Sequence, residues 1–224
     1  MFERNISLIG KEKFNLFNTK KILIVGIGGV GGYAYETLVR SGFLNIDIID
    51  FDKIDITNLN RQIITNQDNI GKLKVEVALL RAKSINPNIK TNIYPIFLNK
   101  ENINEILSNN YDYIIDACDS VDTKSELIKY SYKFNKKLIS SMGTAKKIDP
   151  TKLSITTLDK TNYDPLAKVM RKKVRDLKIN AKKIKVVSST ENPIESNNLG
   201  SFMMVPAVSG ILCAKYIIED IINN

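Results

Sequence analysis

Ile22-Leu23-Ile24-Val25-Gly26-Ile27-Gly28-Gly29-Val30-Gly31-Gly32 is the stretch whose reading decides the fold. A short apolar strand runs straight into glycines, and a helical pattern follows with Ala34, Leu38 and Val39. A second apolar strand, Ile46 to Ile49, ends on Asp50-Phe51-Asp52. Strand, glycine turn, helix and a second strand closed by an acid make a nucleotide-binding unit. Gly26 permits the tight turn, Gly28 lets a phosphate approach the backbone, and Gly31 lets the helix pack closely on the strand. The free N–H groups and positive end of that helix favour an anion. Asp50 stands where a carboxylate accepts hydrogen bonds from ribose hydroxyls. A nucleotide therefore binds here, and the glycines alone do not say which.

Working outward, Phe2 to Phe17 reads as one or two short helices, with Arg4 a solvated charge on this pattern alone. After Asp52 the run Lys53 to Gln62 is polar and dense in hydrogen-bonding side chains. A helix is expected from near Gly71 to Asn86-Pro87, and cations in its first turn, Lys72 and Lys74, sit where a helix prefers anions. They are either surface lysines or counterparts of something negative, and Arg61 poses the same choice. Thr91 to Phe97 reads as a third strand, Asn102 to Leu107 as a short helix, and Tyr113 to Asp119 as a fourth strand. Asp119 then either helps Ser120 cap the helix Val121 to Phe134 or meets a metal or phosphate at the strand's C-terminal edge. Cys118 reads as a small strand-end residue, and Lys137 to Ser141 as a fifth strand.

This alternation specifies an α/β, Rossmann-like, doubly wound and mostly parallel sheet. Two further strands, Leu153 to Leu158 and Lys185 to Ser189, are expected to pair antiparallel at its edge, and a C-terminal helix over 201–222 closes the chain. One domain over residues 1–224 follows, with a nucleotide-binding core over 20–145 and a strand-helix-strand extension over 150–200. The helix of that extension opens at Asp164-Pro165, a capping residue followed by proline. Between Lys168 and Lys185 there are nine basic residues, Lys168, Arg171, Lys172, Lys173 and Arg175 among them, against one acid, Asp176. That density favours contact with a nucleic-acid backbone over a merely solvated face.

Composition removes whole classes of chemistry. The 224 residues are 43% hydrophobic, enough for a full core, and the net charge of +9 suits a polyanionic partner. With no histidine and two cysteines there is no histidine-based triad, no disulfide framework and no four-ligand cysteine or cysteine–histidine zinc site. Neither a signal peptide nor a membrane span is expected, which places the protein in the cytoplasm. A dehydrogenase would need a substrate domain and a proton donor for which the chain has little room. An ATP-dependent adenylating enzyme needs polar and cationic residues just past the second strand, and Asp52, Asn58, Arg61 and Lys74 stand there. A non-catalytic binding module is the remaining alternative.

Five spaced motifs carry a resemblance: Gly26-x-Gly28-Gly29-Val30-Gly31, Asp50-Phe51-Asp52, Asn58-Leu59-Asn60-Arg61-Gln62, Gly71-Lys72-x-Lys74 and Ile115-Asp116-Ala117-Cys118-Asp119-Ser120. Together they resemble the ubiquitin-activating-like (ThiF/MoeB) superfamily. The resemblance implies that the glycine turn, Gly29 included, and Asp50, Asp52, Asn58, Arg61 and Lys74 bind ATP. It further implies that Arg61, Lys74 and Asp119 serve the chemistry, that Asp119 holds Mg²⁺, and that Arg4 reaches the ATP site of a homodimer partner. Gly143 to Thr151, Lys160-Thr161 with Asp164-Pro165-Leu166-Ala167, the basic helix and Gly200 to Gly210 resemble the tRNA threonylcarbamoyladenosine dehydratases of that superfamily. That branch implies adenylation and cyclisation of the threonylcarbamoyl carboxylate on a tRNA adenosine beside the anticodon, with release of AMP and pyrophosphate. Lys168, Arg171, Lys172, Lys173 and Arg175 would contact the tRNA, and a sulfur-relay protein is a possible further partner. The sulfur-carrier branch usually adds paired CxxC motifs, which this sequence lacks.

Overall fold

The structure, a computed structural model, describes residues 1–223. Two short helices, α1 (Glu3–Ile9) and α2 (Lys11–Phe17), precede β1 (Lys21–Val25), α3 (Gly31–Ser41) and β2 (Asn45–Ile49). There follow α4 (Lys74–Ile85), β3 (Ile93–Tyr94), α5 (Ile103–Leu107), β4 (Tyr113–Asp116), α6 (Val121–Phe134) and β5 (Lys137–Ser141). The chain ends with β6 (Leu153–Thr157), α7 (Pro165–Asp176), β7 (Lys185–Ser189) and α8 (Met204–Asn223). The strands form one sheet in the order β3-β2-β1-β4-β5-β7-β6. All neighbours are parallel except β6, which pairs antiparallel with β7 at the edge, as expected.

β1 shows why the sheet is doubly wound. Its side chains alternate between faces, so Ile22 and Ile24 join one core cluster and Leu23 and Val25 the other. The first cluster is completed by α3, α4 and α8, through Leu38, Val75 and Cys213 among others; the second by α5, α6 and α7, through Ile103, Leu127 and Met170. A strand buried on both faces must be continuously apolar, which is why β1 carries no polar alternation. The order reverses at β1, flanked by β2 and β4, so the crevice for a ligand opens at the C-terminal ends of these strands.

Several boundaries differ from the sequence reading. β3 is only Ile93–Tyr94, since Pro95 follows at once and cannot donate to a ladder. α4 starts at Lys74 rather than near Gly71, whose φ of +85° belongs to a turn. α7 stops at Asp176, and Lys178 turns the chain at φ +57°. Lys178, Lys182, Lys183 and Lys185 therefore lie outside the basic helix, in the connection to β7 and at its first residue. Pro206 sits in the first turn of α8, where its missing N–H costs no helical bond.

Two close approaches hold the ligand edge. A Cβ on Gly31 would stand 1.8 Å from the Gly26 carbonyl oxygen, so the first residue of α3 lies directly on the turn. A Cβ on Gly210 would stand 2.2 Å from the Val30 oxygen and 2.9 Å from the Ala34 nitrogen, because α8 crosses α3 backbone to backbone. Such atoms cannot swing aside as a side-chain tip can. Gly210→Ala is predicted to cost about 3 kcal/mol by overpacking, a fall in Tm of about 6–12 °C; thermal unfolding that leaves the Tm unchanged would contradict this crossing.

Candidate active site

The glycine turn and the end of β2 are tied through one carboxylate. Asp50 Oδ2 accepts the Ile27 N–H at 2.7 Å, and Oδ1 accepts the Asp52 N–H at 2.9 Å. Burial pushes the Asp50 carboxyl above its ordinary pKa, against the opposing pull of Lys74. The Lys74 ammonium is itself buried and donates to Asp52 Oδ2 at 2.6 Å, although the Asp52 side chain is half exposed. An ammonium has three protons to donate, and Asp52 takes one. The lysine that looked misplaced at a helix start thus has its negative counterpart. Its remaining donors belong to the same corner of the site.

Arg61 is presented by the turn before it. Asp55 and Asn58 cap one another around residues 56–58, and the Asn58 carbonyl accepts the N–H groups of both Arg61 and Gln62. Arg61 Nη1 donates to Thr57 O at 2.7 Å and Asn60 Oδ1 at 3.0 Å, which leaves most of the guanidinium unpaired. Its Cγ lies 3.6 Å from where a Cβ on Gly29 would stand, so the arginine rests on the glycine loop. Among the described residues nothing accepts from the N–H groups of Gly28, Gly29, Val30 or Gly31. Backbone donors, a guanidinium and an ammonium therefore converge on the mouth of α3, a setting for a polyphosphate.

Asp119 lies on the segment leaving β4, which runs past the glycine turn. It is exposed and makes no hydrogen bond within the chain, because Ser120 alone caps α6, its Oγ accepting the Thr123 N–H at 3.3 Å. The capping alternative for Asp119 is thereby removed. Ala117 and Cys118, just before it, pack against Gly26, where a Cβ would be 2.8 Å from the Ala117 oxygen. Cys118 points inward and donates its thiol hydrogen to Asp116 Oδ1 at 3.1 Å. Burial, with the charge of Asp116 beside it, holds the thiol well above the usual cysteine range.

Sequence reasoning missed the pair behind this segment. Lys124 is fully buried and its ammonium is saturated by Asp116 Oδ1 (3.1 Å), Ser140 Oγ (3.3 Å) and Ser141 O (2.8 Å). Burial works against its charge, but Asp116 outweighs burial and raises its pKa. The network fastens the ends of β4 and β5 to α6. Its signal was a lysine one turn before Leu127 and Ile128 on the apolar face of α6. Also unread was an exposed edge-to-face pair at the ligand edge, Phe51 and Phe97, with ring centroids 5.2 Å apart.

The remaining sites lie apart from this corner. Arg4 is exposed, and its neighbour Asn5 donates to the carbonyls of Arg40 and Ser41 at the far end of α3. That end is about 15 Å along the helix from the glycine turn. α7 lies on the opposite face from α3 but its start is anchored beside the ligand edge, and a surface ion pair joins its last turn to α6. Asp164 Oδ2 accepts the N–H of Gly143, just past β5, at 2.9 Å, and Lys173 pairs with Asp122 in the first turn of α6 at 3.2 Å. Arg171 is turned inward to Thr161, donating to its carbonyl at 2.8 Å and to its hydroxyl. Lys168, Lys172 and Arg175 are exposed.

Residues 2–221 match the ThiF family. The chain belongs to that family. A tRNA threonylcarbamoyladenosine dehydratase of Bacillus subtilis (strain 168) is 35% identical over 100% of this chain and 95% of its own length. Crystal structures of the E. coli tRNA N6-threonylcarbamoyladenosine dehydratase TcdA in complex with AMP and with ATP superpose with a TM-score of 0.95 at 35% identity. They cover 99% of this chain and 94% and 93% of theirs. Within the ThiF fold, the inward-facing thiol makes Cys118 a packing residue here. Cys118→Ala is predicted to retain most adenylating activity, and iodoacetamide at neutral pH to label the native protein slowly at this position; a dead variant with an unchanged Tm would contradict that.

Proposed function

We infer that this chain is an ATP-dependent tRNA threonylcarbamoyladenosine dehydratase. The observation that carries the reading is the basic helix α7, its start fixed beside the corner where the unpaired backbone donors, Arg61 and Lys74 meet, in a chain of the ThiF family. The full-length similarity to dehydratases that act on tRNA supports the same substrate. Among the described residues no helix is long and apolar enough to cross a membrane, and the tRNA substrate argues for the cytoplasm.

In this reading Asp50 holds the ribose, while the glycine turn, Asn58, Arg61 and Lys74 hold the triphosphate, with Asp52 fixing the Lys74 ammonium. The threonylcarbamoyl carboxylate attacks the α-phosphorus and pyrophosphate leaves, giving an acyl-adenylate. Arg61 and Lys74 stabilise the charge that develops on the phosphates, a task for preorganised cations. The neighbouring carbamoyl group then closes on the activated carbonyl and AMP departs. The closing nucleophile belongs to the substrate, so a chain without histidine or an accessible thiolate suffices, and proximity supplies much of the rate. Bound Mg²⁺ would neutralise triphosphate charge. The donor set fits such a role: Asp119 offers one free carboxylate, no cluster of three or more ligating side chains exists among the described residues, and Mg²⁺ commonly takes one or two carboxylates plus phosphates.

Lys168, Lys172, Lys173 and Arg175 are the exposed tRNA contacts on α7, while Arg171, turned inward to Thr161, helps fix the helix that presents them. Arg4, too far to reach its own glycine turn, serves the site of a partner subunit in a homodimer. An Arg4→Ala protein with undiminished activity would refute that role.

ATP–pyrophosphate exchange with purified protein tests the reading. Exchange is expected with tRNA carrying threonylcarbamoyladenosine and not with unmodified tRNA. In the same assay Lys168→Glu with Lys172→Glu should raise the KM for tRNA about tenfold or more and reduce its salt dependence, with the KM for ATP unchanged. Exchange with a small carrier protein and with neither tRNA would overturn the assignment.

A further inference from the structure

Gln62 ends the motif that contains Asn58 and Arg61, and nothing above gives it a role. The segment 61–64 crosses the mouth of α3: Arg61 rests on Gly29, Ile63 and Ile64 on Gly32, and the Gln62 amide on Gly28. Its Nε2 is 3.8 Å from where a Cβ on Gly28 would stand. The residue is 6% exposed, yet neither end of its amide is satisfied. Oε1 is sealed from solvent without a hydrogen-bond partner, whereas Nε2 makes no hydrogen bond within the chain and is not sealed, so it is open to a ligand beside Gly28. The other sealed, partnerless side-chain atoms among the described residues, on Asn86, Thr157 and Ser188, lie at the end of α4 and on β6 and β7. Gln62 alone combines burial, an unpaired amide and a seat on the glycine turn.

An amide left in this state penalises the folded chain, since a buried polar group without a partner loses water and gains nothing. An apolar side chain of similar length would fill the same space without that penalty. The amide nitrogen, open beside Gly28, is the end that can take a partner arriving with a ligand. The donors around Gln62 are the unpaired N–H groups of Gly28 to Gly31, the Arg61 guanidinium and the Lys74 ammonium, all suited to phosphate. We propose that Gln62 is a nucleotide ligand whose Nε2 donates to a phosphate oxygen of ATP at the mouth of α3.

The inference rests on the ATP-dependent reading above and is tested with ATP and adenosine as titrants, using calorimetry on the full chain, together with thermal unfolding of the free protein. Gln62→Met keeps the volume and removes the amide. It should leave the Tm of the free protein unchanged or raise it, while weakening ATP about tenfold or more and adenosine much less. Gln62→Glu, which sets a carboxylate against the phosphates, should weaken ATP further. Two results would overturn the proposal: ATP bound by Gln62→Met as tightly as by wild type, or equal losses for ATP and adenosine with a lowered Tm, the mark of a purely structural residue. Wild-type protein that binds no ATP would instead overturn the functional reading itself, and this inference with it.

Discussion

The contact on which the rest depends is the seating of the first residue of α3 on the turn that ends β1. With Gly31 set directly against the Gly26 carbonyl, the helix start cannot withdraw from the sheet edge, and its unpaired N–H groups stay aimed into the crevice. The Asp50 carboxylate fastens the same turn to the end of β2, and α8 presses on the first turn of α3 through Gly210. Any side chain at Gly31 would separate helix from turn, and with them the donors that a polyphosphate meets. Backbone donors held this way need no reorganisation when charge arrives, which is why such a site can work without histidine.

Charge at the site is set by pairing rather than by excess. Asp52 holds Lys74, and Lys74 restrains the rise that burial imposes on the Asp50 pKa. Behind them Lys124 and Asp116 form a sealed pair that locates the segment carrying Asp119. Breaking a buried pair of this kind typically costs about 3–5 kcal/mol because the surviving charge is stranded. The basic surplus of the chain lies elsewhere, on α7 and the connection after it. In the proposed reading, that division would let one edge of the sheet bind a compact polyanion while a neighbouring helix offers charge to an extended one.

Much of this was legible in the sequence, and the exceptions have physical causes. The apolar run of β1, the glycine spacing and the acid ending β2 state their structure locally, since each reflects backbone geometry within a few residues. β6 and β7 were legible as two strands because their short runs of β-branched residues are local signals. The length of α7 was not: lysine and arginine are good helix formers and would carry the helix on, and the stop at Asp176 depends on Lys178 adopting a positive φ. Nor could the sequence show that Arg171 turns inward to Thr161 or that Asp119 leaves the capping of α6 to Ser120. Lys124 and Gln62 were hidden for one reason: whether a polar side chain is buried, and with which partners, is decided by elements distant in the chain.

The central claim is that the carboxylate of the tRNA-borne threonylcarbamoyl group attacks the α-phosphorus of ATP. The most direct measurement is to label that carboxylate with heavy oxygen, run one turnover, and locate the label by mass spectrometry of the nucleotide products. The account predicts one labelled oxygen in AMP, carried over when the acyl-adenylate is displaced. Label in inorganic phosphate formed alongside ADP, or AMP that is free of label, would contradict it.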